Sequence, residues 1–239
     1  MNLKMKVKSV ALCSLLLASA ACKSTGTAGG GAGGGATNGG NATTSAAAAV
    51  ISANDKPLDV MTRATRAQLD AKSYRANITN TLSSGATNTV LVEYAAPDRY
   101  HMSTHAPAGG RDTSLEYIIV GKDTFVRMNG GEWKKLPLDM SQMITAFRDP
   151  KLIDEVAKAS DMKFVGTDTL NGAPMLVYEY TLDNALGMKM KSHAKTWVAA
   201  ADGLPRKSES DGEFNGVKTK TSMTVSDYNT DIKIEPPVK

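Results

Sequence analysis

The sequence predicts a mainly β, α+β domain: one long antiparallel sheet, preceded by a helix and interrupted midway by a helical insertion. Three observations carry this. From Lys72 onward apolar residues recur at every second position, the spacing of strands with one buried side, and turn phrases such as Ser84-Gly85 and Asn171-Gly172 divide the pattern. Just before it, after Pro57, apolar residues fall three and four apart. Between Asp139 and Ala159 the period-two pattern gives way to helical spacing.

The chain divides into residues 1–21, 22–49 and 50–239. The first segment carries Lys4, Lys6 and Lys8 with no acid, followed by an apolar stretch over residues 10–17 that is too short to cross a bilayer, and so reads as a secretory signal. It ends in Ala18-Ser19-Ala20-Ala21-Cys22. These small residues suit ordinary signal peptidase, which would leave Cys22 as an odd free thiol. They also match a bacterial lipobox, with Ser19 where that motif usually has Leu, and this reading makes Cys22 the first mature residue and the lipidated anchor. Cys13 follows bulky Leu12 and fits less well. With the signal removed Cys22 is the single thiol, so no intramolecular disulfide can form and the domain must be held by its core.

Residues 23–49 are Gly, Ala, Thr, Ser and Asn with almost nothing to bury, a composition that cannot offset the entropy of ordering. As a Gly-rich coil of roughly 26 residues this linker reaches about 28 Å. The remaining 190 or so residues suit one domain with a sizeable core.

In that domain Pro57 fits a first helical turn, and Leu58, Met61, Thr65 and Leu69 lay an apolar stripe, with Arg63, Arg66 and Asp70 on the other faces. Strands follow. Ile78 and Leu82 alternate with polar neighbours, Val90, Val92 and Tyr94 continue after Ser84-Gly85, and Tyr100 and Met102 follow the Pro97-Asp98 turn. A glycine loop at Gly109-Gly110 precedes a strand over residues 115–120, and Gly121-Lys122-Asp123 turns into residues 124–128. Asn129-Gly130-Gly131 then turns toward Trp133. Helices are expected near residues 139–147 and 150–159, the second opened by Asp149-Pro150. Strands resume at 163–170, close a hairpin at Asn171-Gly172, and return with Leu176, Tyr178, Tyr180 and Leu182 on one side. Further strands are expected at 195–199, 204–209 and 217–228, the last two separated by a loop from Asp211-Gly212 to Asn215-Gly216, before a final short segment with Ile232 and Ile234. A sheet of about ten strands twists and curls, and the helical pieces are placed to cover its hollow side.

Several phrases in this order resemble the LolA-like lipoprotein carriers of the LppX/LprG type. They are residues 93–100 (EYAAPDRY), Gly130-Gly131-Glu132-Trp133, residues 165–172 (VGTDTLNG), Trp197-Val198 followed by residues 203–207 (GLPRK), and Tyr228-Asn229 with Ile232 and Pro236. The resemblance implies an open half β-barrel wrapped around helices, with an apolar cavity for acyl chains or other lipid tails. It implies lipid or lipoprotein transfer in the cell envelope. The alternative it allows is a tethered sensing or structural module that binds another envelope protein. The family's cavity arginine has no motif that places it in this sequence.

The candidate lining is the inner stripe of the sheet: Val90, Val92, Tyr94, Tyr100 and Met102, with Leu176 and Tyr178. Flexible methionines (Met102, Met140, Met143, Met175, Met188 and Met190) suit such a cavity, although they serve an ordinary core equally well. The expected partners are the membrane, through a lipid on Cys22, a lipid or acyl-chain ligand, and other envelope proteins. Lys23 stands where an aspartate commonly retains lipoproteins at an inner membrane, which directs the expectation to an outer membrane facing the periplasm.

Other chemistry has little support. Without the signal lysines the chain carries 25 basic and 24 acidic residues, and no basic strip suggests nucleic acid. His101 and His105 share a strand face roughly 13 Å apart, too far to share a metal, and His193 is isolated. Asp149, Asp154 and Glu155 read as helix-end charges, and no nucleophile elbow or phosphate loop occurs in residues 50–239. No cofactor is expected, and no catalytic role.

Overall fold

In the computed structural model residues 51–108, 111–141, 148–151, 159–183, 190–214 and 217–238 are described. One helix, α1 (Pro57–Asp70), precedes eleven strands. These are β1 (Ser73–Leu82), β2 (Thr87–Ala95), β3 (Arg99–Ala108), β4 (Arg111–Val120), β5 (Asp123–Met128), β6 (Lys134–Leu136), β7 (Ser160–Leu170), β8 (Ala173–Asp183), β9 (Met190–Ala199), β10 (Pro205–Phe214) and β11 (Val217–Ser226). They make a single antiparallel sheet in the order β6-β5-β4-β3-β2-β1-β11-β10-β9-β8-β7, open at both ends.

Pro57 opens α1 at its first turn, where the missing N–H costs nothing. The buried stripe is Val60, Met61 and Ala64, and Leu58 is 40% exposed. The expected stripe was therefore rotated: position 60 shares a helical face with 64, whereas 58 lies two residues, about 200°, away from 60. Thr65 and Leu69 are half-buried at its margin.

The hairpins follow the turn chemistry. Asn171 and Gly172 both have positive φ, and Leu170 pairs with Ala173 around them, the two-residue turn that matches strand twist. Gly121 has φ 58° between the paired Val120 and Asp123. One strand expectation is corrected. Asp211-Gly212 is not a loop but part of β10, paired with His193 and Ser192 on one side and Lys220 and Thr219 on the other. Ile232 and Ile234 are buried outside any strand, against Ala95, Ile118 and Val120, with Arg99 donating to the Ile234 carbonyl at 2.6 Å. A side-chain clamp replaces ladder bonds there.

Register sorts the side chains into two faces. One face carries α1 and most of the apolar residues. The other carries charge: Arg75, Glu93, His101, Glu116 and Arg127 form a ladder across β1 to β5, with contacts of 2.6 Å (Arg75–Glu93), 2.8 Å (His101–Glu93), 3.5 Å (His101–Glu116) and 2.6 Å (Arg127–Glu116). The edge strands β6 and β7 follow each other in sequence but lie at opposite ends of the sheet. Of the described residues between them, Met140 packs among the residues on the α1 face and Arg148 lies over Tyr94 there. The helical segments expected at 139–147 and 150–159 lie almost entirely outside the described residues, as do Gly109-Gly110, Asn215-Gly216, Met143, Asp154, Glu155 and Met188. Among the described residues no helix is long and apolar enough to cross a membrane.

Candidate functional site

All seven stripe residues point to the α1 face, but they belong to two separate clusters. Val90, Val92, Tyr94 and Tyr100 are buried with Ile78 and Ile119, and Met102 packs half-buried against them. Leu176 and Tyr178 are buried under α1, against Val60, Met61 and Ala64. Five strand spacings separate β2 from β8, about 24 Å along the sheet, and the two groups pack in different clusters. Met175 is on the opposite face, packed with Val177, Trp197 and Ala199, because β8 alternates and 175 has the parity of 177. It is core on the outer side and does not line the α1 face.

Between the two clusters the same face turns polar. Asn80, 2% exposed, donates to Asn88 at 2.9 Å and accepts from the Thr221 hydroxyl at 2.9 Å. Thr196 shares a 3.2 Å hydrogen bond with the Tyr180 hydroxyl, and Ser208 stands between Thr196 and Met223. Asn80 with Asn88 and Thr221, and Thr196 with Tyr180, satisfy one another locally, as buried polar atoms must.

At the other end of this face the tyrosines form a row. Tyr228 and Tyr74 have ring centroids 6.0 Å apart, Tyr74 and Tyr94 5.3 Å, and Tyr94 and Tyr100 4.8 Å. The Arg206 guanidinium lies 4.8 Å from the Tyr228 ring and that of Arg148 4.0 Å from the Tyr94 ring. Such cation–ring contacts contribute most where water is displaced. Burial raises the pKa of Tyr74, Tyr94 and Tyr100, and the nearby Arg148 charge opposes the shift, so the hydroxyls stay protonated donors at neutral pH. Tyr100, Tyr178 and Thr124 have buried hydroxyls with no hydrogen-bond partner among the described residues.

Sequence reading missed Tyr74, Tyr228, Arg148 and Arg206 as parts of this face. Tyr74 was findable, since it is in step with Ala76 and Ile78. Arg148 was not, because it reaches the sheet from the connection between β6 and β7, where no strand periodicity operates. Metal chemistry gains nothing here: no group of three metal-ligating side chains occurs among the described residues, His101 is engaged with Glu93, and His193 is exposed.

No protein-family model matches the sequence, and no curated protein matches it. Among solved structures the chain is similar to LprF from Mycobacterium bovis, with a TM-score of 0.58 and 12% identity over 77% of this chain and 97% of that one. It is likewise similar to the lipoprotein LppX from Mycobacterium tuberculosis, with a TM-score of 0.53 and 13% identity over 75% of this chain and 98% of that one. At these identities the likeness shows the fold alone, one that this chain shares with LprF and LppX.

Proposed function

We propose that this chain, with the LolA-like fold it shares with LprF and LppX, is a lipoprotein anchored through Cys22 that binds acyl chains on the α1 face of its sheet. Its role is lipid or lipoprotein transfer in the cell envelope, by binding rather than catalysis. The observation that carries this reading is the uneven cover of that face. Among the described residues α1 packs on the β7–β10 side. From β3 to β6 Tyr100 and Ile119 of the same face are buried, but Met102, Leu115, Tyr117, Val126 and Leu136 beside them are only half-buried, and Met128 is 66% exposed. Each methylene laid against them contributes about 0.8 kcal/mol, so part of one acyl chain offsets the cost of immobilising it.

The finer architecture belongs to the same proposal. The sheet curls into a half-barrel, and the connection that carries Met140 and Arg148 across the α1 face forms the second cover. Export and a diacylglyceryl anchor on Cys22 place the domain at an outer membrane, facing the periplasm, as Lys23 suggests.

The test is to purify the chain carrying Cys22→Ala, which removes the proposed anchor, from cells without detergent, extract it with solvent, record native mass spectra and titrate it with a fluorescent fatty acid. Co-purified lipid and saturable binding are expected, and Val92→Trp should weaken binding by filling the face, on a protein shown to be folded. No lipid and no binding would move the assignment to a module that senses or holds another envelope protein.

A further inference from the structure

Arg148 is a half-buried cation on an otherwise apolar face. Its Nη2 donates to the carbonyls of Leu69 and Ala71 at the end of α1, and its guanidinium also acts on the Tyr74 hydroxyl. No carboxylate pairs with it among the described residues. Arg206, at the far end of the tyrosine row, differs in this respect, because it is held by Asp202. The Tyr100 hydroxyl lies in the same row two rings from Tyr74, on a side chain 5% exposed, with no hydrogen-bond partner among the described residues. Among the described residues the guanidinium has no counter-ion and the buried hydroxyl has no acceptor, and one anionic group would serve both.

Building on the acyl-chain reading above, we infer that the ligand is an anionic amphiphile whose carboxylate or phosphate headgroup lies against Arg148 beside the Tyr100 hydroxyl. The tail then runs away from the tyrosine row along Val92, Val90 and Ile78, residues that continue the same face toward the β1–β2 hairpin. The tyrosines separate the two parts: their rings extend the apolar surface and their hydroxyls remain neutral donors. The Asp98 carboxylate acts on Tyr94 and Tyr100 in the sense opposite to Arg148.

The experiment compares a fluorescent fatty acid with its methyl ester on the full purified chain at neutral pH. The two share a tail and differ in charge. The acid is expected to bind at least about tenfold tighter than the ester, the size of effect that one lost charge-assisted hydrogen bond produces. Arg148→Gln should bring the acid down to the ester's affinity and leave the ester unchanged, Tyr100→Phe should weaken the acid less, and Arg206→Gln should change neither much. The ester titration on each variant doubles as the check that its face is intact. Equal affinity for acid and ester in the native chain would overturn the headgroup inference while leaving tail binding in place. So would an Arg148→Gln chain that loses both equally, since Arg148 would then serve only to hold α1. Binding of neither compound would overturn the acyl-chain reading and this inference with it.

Discussion

Tyr178 and Tyr180 stand two apart on β8, both buried, and differ by one hydrogen bond: Tyr180 shares one with Thr196, and Tyr178 has none among the described residues. Replacing Tyr180 by Phe strands the Thr196 hydroxyl and should cost about 1 kcal/mol in urea denaturation, whereas Tyr178→Phe removes an unsatisfied group and should be neutral or stabilising. Equal losses at both positions would show that Tyr178 has a partner of its own. Glu116 tests charge at the same scale. The Arg127 hydrogen bonds hold its carboxyl below the ordinary value of 4.5, against the effect of burial, with His101 adding to the shift. A carboxyl with a depressed folded pKa stabilises fully above the unfolded value and loses that contribution as pH falls through the folded one. Thermal melts should therefore show Glu116→Gln less stable by no more than about 1 kcal/mol at pH 7, with the difference vanishing as pH drops below about 4. A difference that stays constant down to pH 2 would mean that shape, not charge, is responsible.

At the scale of elements, α1 shows how far a pattern in one segment can be read. Val60 is fully buried and Leu58 is not, although both are apolar and both lie in the first turn. Val60→Ala should cost about 2 kcal/mol by leaving a cavity against Leu176 and Tyr178, while Leu58→Ala should stay within about 0.5 kcal/mol. Denaturant midpoints at unchanged m-value would decide it, and the reverse ranking would put the helix in a different rotation. The legible part was the helix itself, through Pro57 and the spacing of three and four. Its rotation was not, because three adjacent apolar positions, 58, 60 and 61, span most of its circumference and only the sheet selects among them.

For the whole molecule the decisive contact is β1 with β11, the first strand with the last. It joins β1–β6 to β7–β11 through a register running from Arg75 with Ser226 to Leu82 with Thr219. Local hairpins can form early, but the sheet is continuous only when the chain is complete, so refolding is expected in milliseconds to seconds rather than microseconds. Deleting residues 217–239 should abolish the cooperative transition seen by circular dichroism, because it bares two long edges and removes the Ile232 and Ile234 clamp. A truncated chain that still melts in one sharp transition would show that one half folds by itself. The seven residues selected from sequence belong to this scale as well: alternation put all of them on one face, and the strand order then divided them between two clusters. Periodicity specifies a face but carries no distance across the sheet.

Sequence alone determined the sheet class, the hairpins at Ser84-Gly85 and Asn171-Gly172, the start of α1 and the sidedness of the strands, because each depends on backbone preference or a period of two, both local quantities. The tertiary structure decided the rest: that β10 runs through Asp211-Gly212, that Met175 belongs to the outer face, that Leu176 and Tyr178 serve α1, and that Arg148 reaches the tyrosine row. Those outcomes depend on which strands become neighbours and where the connection between β6 and β7 touches down. Long-range pairing sets both, and no short window of residues contains it.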